Sequence, residues 1–133
     1  MNPARYLPSD AANGVETWAK QWLEEVANDM RSVLADASQV RARNERLASY
    51  LPTLTTLAAS YQHQVDKYVR TYKALYPKPD KGINEWRERC DEETRDMRRI
   101  VDLCEKFKED IRTRLSVAQS NLASIREETK ARV

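Results

Sequence analysis

From Ile83 to Val133 the chain contains neither glycine nor proline, and the whole sequence holds only two glycines, Gly14 and Gly82. Sandwiches, barrels and phosphate-cradling loops need glycine wherever the backbone takes a positive φ, so this sequence cannot supply their turns. An uninterrupted stretch of about 50 residues reads instead as helix, on the order of 70 Å long at 1.5 Å per residue. Its apolar positions, Ile83, Trp86, Cys90, Met97, Ile100, Cys104, Phe107, Ile111, Leu115, Ala118, Leu122 and Ile125, fall on one helical face. A single rod cannot bury that stripe, so the remaining chain must provide helical neighbours.

The first half carries the same period. Val15, Trp18, Trp22, Val26, Met30, Val33, Ala37, Val40, Leu47 and Leu51 mark a helix over about 14–50, with Asn13 or Gly14 as its cap. Ala19, Leu23, Ala27 and Leu34 widen the stripe at its start, whereas beyond Val40 it narrows to a coiled-coil-like seam carrying polar Asn44. Leu54, Leu57, Tyr61, Val65, Tyr68, Tyr72 and Leu75 mark a second helix over 53–76. Between them stands Pro52. A break there is the favoured reading, because proline pushes Leu51 out of the α region and Thr53, Thr55 and Thr56 suit a helix start. The stripe nevertheless keeps phase across the proline, which supports one helix kinked at Pro52.

Pro77-Lys-Pro-Asp-Lys-Gly82 is the clearest loop, with Asp80 or Asn84 able to cap the last helix. The expected fold is all-α: an elongated antiparallel bundle or coiled coil of three long helices at about 14–50, 53–76 and 83–131. Residues 1–13, with two prolines and no period, read as an extended arm, and 14–133 as a single helical domain.

Charge narrows the function classes little. Lysine and arginine number 23 against 21 aspartates and glutamates, a net of +2 at pH 7, too balanced to point to nucleic acid or an anionic membrane. No apolar run approaches a membrane span and the N-terminus lacks the order of a secretory leader, so a soluble cytoplasmic protein is expected. Many charges fall as acid-first pairs four apart, as in Glu85 and Arg89, Asp91 and Arg95, Asp102 and Lys106, and Asp110 and Arg114, which support a solvated helix face.

Catalytic constellations are missing. The sole histidine, His63, lies two residues from Tyr61 and from Val65, off the apolar face of its helix. Cys90 and Cys104 are fourteen residues apart on one helix, roughly 21 Å along its axis and beyond disulfide reach of each other, and read as small core residues. Adjacent carboxylates such as Glu24 and Glu25 diverge by about 100° on a helix and cannot converge on one substrate. With no Glu-x-x-His, Cys-x-x-Cys or glycine-rich phosphate loop, no enzyme, cofactor or metal site is expected.

The informative features left are on the surface. Tyr61, Tyr68, Tyr72 and Tyr76 interleave with Lys67, Arg70 and Lys73, an aromatic and basic mixture with some likeness to a single-strand binder, although three of the tyrosines lie on the core stripe. Trp18 and Trp22 stack one turn apart on the wide end of the first helix. If the last helix folds back from the loop at 77–82, it ends before reaching them, and a second chain would have to cover them. The expected interface is therefore Trp18, Trp22, Val26 and Met30, with Asn44 fixing register in the seam. The function expected is a non-enzymatic helical adaptor or assembly subunit, binding another helical chain as a homo-oligomer or within a larger complex. The alternative is an electrostatic binder of nucleic acid or membrane surface through a basic face of Arg41, Arg43 and Arg46 with Arg112 and Arg114.

Overall fold

The computed structural model describes residues 16–131. They form four α-helices and no strand: α1 (Thr17–Arg31), α2 (Ala37–Leu75), α3 (Ile83–Glu93) and α4 (Arg95–Ala131). The arm expected at 1–13 and the caps expected at Asn13 or Gly14 lie outside the described residues.

The N-terminal half does not break at Pro52, contrary to the favoured expectation, because Pro52 sits inside the continuous helix α2. Pro52 faces solvent, and Leu47, Leu54, Leu57 and Ala58 on either side are buried in phase. Keeping those side chains in one core outweighs a cost of about 3 kcal/mol for an interior proline. The break falls instead at residues 32–36. Asp36 accepts a hydrogen bond from the Gln39 N–H at 2.8 Å, and the Gln39 side chain accepts one from the Ala35 N–H at 2.9 Å. The Asp36 side chain thus caps the helix while Gln39 reaches back to the residue before the cap, and together they start α2 afresh. Val33, expected on the buried stripe, is left 99% exposed in the connection.

The last helix, expected to run unbroken over 83–131, is interrupted at Thr94 without glycine or proline. The Thr94 hydroxyl donates to the Cys90 carbonyl at 3.0 Å and accepts from Arg98 Nε at 3.1 Å, while Arg98 Nη2 donates to the Asp91 carbonyl. A buried β-branched residue that competes for backbone carbonyls loosens one turn, and Arg98 takes up the Asp91 carbonyl. At the other end α3 is preceded by Gly82 at φ 75°, the one left-handed glycine among the described residues, and neither Asp80 nor Asn84 caps it.

Because the chain turns at 32–36, α1 doubles back along α2. The Glu16 N–H donates to Tyr61 Oη at 3.1 Å, Trp22 meets Tyr50 edge-on at 5.9 Å, and Asp29 pairs with Arg46 at 2.8 Å. Numbers rise on α1 as they fall on α2. The last helix returns along α2 in the same sense, with Val40 and Asn44 across from Val117 and Ala118. Ala19, Leu23, Val26 and Met30 of α1, Leu47, Leu54, Leu57, Tyr61 and Val65 of α2, and Met97, Ile100, Cys104, Phe107 and Ile111 of α4 share one core. A smaller cluster, Tyr68, Tyr72 and Cys90 with Trp86, closes the corner between α2 and α3.

Candidate functional site

The residues expected to form an interface divide between core and surface. Val26 and Met30 are buried against α2 and α4, so α1 covers its own apolar face inside the chain. Trp22 is half-buried against Tyr50, and Trp18 is half-exposed on the flank of α1 with its indole N–H on the Glu16 carboxylate. The expectation that a second chain must cover this face assumed a single helix over 14–50; the turn at 32–36 instead buries Val26 and Met30 within the chain and leaves Trp18 half-exposed. Asn44 behaves differently. It is half-buried in a cleft of about 280 Å³ between α2 and α4, with Val40, Arg43, Arg114, Val117 and Asn121.

That cleft belongs to the end of the molecule where uncovered apolar side chains gather. The exposed large hydrophobic residues among those described are Trp18, Val33, Val40, Tyr76, Val117, Leu122 and Ile125. Five of these seven lie on the 32–36 connection, the first turn of α2 or the last part of α4. The cause is length: α2 begins at Ala37 and α1 ends at Arg31, whereas α4 carries its apolar stripe on to residue 125. Concentration at one end distinguishes this surface from the scattered apolar residues common on folded proteins.

The joint between α1 and α2 beside this end is polar and closely held. Asp29 accepts from Nη2 and Nε of Arg46, at 2.8 and 3.1 Å, and from the Tyr50 hydroxyl at 2.9 Å. The Arg46 hydrogen bonds, and then that of Tyr50, hold the Asp29 carboxyl below its ordinary value against the opposing effect of burial. Burial and the adjoining carboxylate push the Tyr50 hydroxyl up. Arg43 donates to the Ser32 carbonyl at 2.7 Å, and Arg114 to the Met30 carbonyl at 2.8 Å. Three of the five arginines read as a basic face, Arg43, Arg46 and Arg114, are thus engaged in closing the turn.

The acid-first pairs four apart do not close into ion pairs among the described residues; the pairs present are Asp29–Arg46, Asp91–Arg98 and Glu105–Lys108. Arg114 is taken by the Met30 carbonyl, and the other exposed long side chains gain too little from pairing to give up their freedom in water. His63 is exposed. Cys90 and Cys104 are buried free thiols, and burial pushes Cys104 up to about 11. No helix among the described residues is long and apolar enough to cross a membrane.

A second groove, of about 660 Å³, separates α1 from α4, with Leu23, Met30, Leu103 and Phe107 along its floor and Lys20 and Lys106 on its rims. No protein family, curated protein or solved structure matches this chain.

Proposed function

We propose that the chain is a non-enzymatic helical adaptor or assembly subunit that docks an amphipathic helix at the open end of α2 and α4. One observation carries this reading: Val33, Val40, Val117 and Leu122 are exposed together at the end that holds the Asn44 cleft. An incoming helix with apolar residues three and four apart would extend the coiled-coil-like seam of α2 and α4, as amphipathic helices do in apolar grooves. Asn44 and Asn121, both lining the cleft, would favour one register by penalising any that leaves an amide unpaired. The same seam serves a second copy of the chain or a different helical protein.

Sedimentation equilibrium over a wide concentration range, with reductant, tests the proposal. Association with itself, or with a partner isolated from native extract, is expected to be lost in a Val117→Asp, Leu122→Asp double variant whose helix content is unchanged. Association that persists unaltered in that variant refutes this surface.

A further inference from the structure

The corner between α2 and α3, at the opposite end of α2, has a surface that the proposed helix docking does not use. A cleft of about 500 Å³ opens there over Val69, Tyr72, Trp86 and Cys90. Its aromatic wall is fixed in place. The Trp86 indole N–H donates to the Tyr76 carbonyl at 2.7 Å, and the Tyr72 hydroxyl donates to the Trp86 carbonyl at 3.1 Å. Tyr72 and Trp86 lie 6.0 Å apart with planes inclined at 43°.

Three cations reach the cleft from three parts of the chain: Lys73 from the last turn of α2, Lys78 from the loop and Arg87 from the first turns of α3. None of them forms an ion pair among the described residues. The one acid in the lining, Asp91, faces Arg98 at 3.9 Å. The cleft therefore joins an apolar floor to a local excess of positive charge in a chain that is nearly neutral overall.

We infer that this corner binds a short acidic peptide segment, seating one apolar side chain against Tyr72 and Trp86 and its flanking carboxylates on Lys73, Lys78 and Arg87. Charge complementarity selects an anion. Ring geometry and the neighbouring charges select a peptide over a nucleic-acid strand. Tyr68 and Tyr72 are buried, so of this aromatic group only Tyr76 and the half-buried Trp86 present open ring surface, enough for one apolar side chain but too little for a run of stacked bases. Outside the cleft, α3 carries Glu85, Glu88, Glu92 and Glu93, which repel a long polyanion but tolerate a few well-placed carboxylates. With a helix docked at the other end of α2, the chain would bridge two partners.

The experiment titrates the full chain with a capped pentapeptide, leucine flanked on each side by two glutamates, and follows the Trp86 indole N–H resonance. Trp18→Phe and Trp22→Phe variants assign that signal. A saturable shift is expected, weakening as salt is raised, and about tenfold weaker in a Lys73→Gln, Lys78→Gln, Arg87→Gln variant. These side chains project from the surface, so unchanged helix content and melting are expected of the variant. A lysine-flanked peptide is expected to give no shift. No saturable shift at millimolar peptide, or equal binding by the triple variant, overturns the inference. Tighter binding of a thymidine decanucleotide at the same resonance overturns the choice of a peptide.

Discussion

Replacing Leu23 by alanine measures how firmly α1 is joined to the rest of the chain. Leu23 is 2% exposed and packs among side chains of α1, α2 and α4. Truncating a buried leucine costs about 2–5 kcal/mol, set by how much of the vacated space stays empty. Leu23 also lines the open groove between α1 and α4, so part of that space joins solvent and the neighbours can relax into it. The cost should sit near the lower bound, about 2–3 kcal/mol. Leu54, with no exposed surface and outside every groove described, provides the contrast at about 3–5 kcal/mol for the same substitution. Urea unfolding followed by circular dichroism, at constant slope, gives both values. A Leu23→Ala penalty below about 0.5 kcal/mol, the range of surface changes, would refute the shared core. Hydrogen exchange adds a second refutation: protection lost only over Thr17–Arg31, with an unchanged urea midpoint, would mean that α1 opens by itself.

Single groups elsewhere in the chain carry their own consequences. Because Asp29 is held below its ordinary value in the fold, chiefly by Arg46, its contribution is complete above the unfolded carboxyl value of about 3.9 and is lost as pH falls through the folded value. Thermal melting should therefore separate Asp29→Asn from the parent chain at pH 6, with a gap that narrows as pH falls below about 3.9; a constant gap would contradict the pairing. Pro52→Ala should raise stability by about 1–3 kcal/mol, since alanine restores an N–H inside α2 at an exposed position, and an unchanged or lower melting temperature would argue against a continuous helix. Cys104, fully buried with its thiol pushed up to about 11, should resist Ellman's reagent at pH 8 until urea unfolds the chain, whereas rapid native labelling would place it outside the core.

Much of the candidate surface was hidden from sequence reasoning for one reason. The helical period over 14–50 continues in phase through Val33 and Ala37, and periodicity alone cannot tell a helix from two helices separated by a short turn. The signal that could have revealed the turn was present: Asp36 followed three residues later by Gln39 is a sequence signature of a helix start. Once α1 doubles back, Val26 and Met30 pass into the core, and the uncovered apolar surface moves from the tryptophan end to Val40, Val117 and Leu122. Thr94 carried no comparable warning. Its interruption depends on burial and on Arg98 reaching back to the preceding turn, both products of packing.

By itself the sequence determined the helical class, the loop at 77–82 and the buried faces of Tyr61, Tyr68, Tyr72, Cys104 and Ile111, because glycine scarcity and apolar spacing act locally on every turn of backbone. Tertiary structure alone decided that Pro52 lies within a helix, that α1 turns back, and which apolar residues stay uncovered. Those outcomes set the burial of many distant side chains against one lost hydrogen bond or one cap, and that sum exists only when the helices meet.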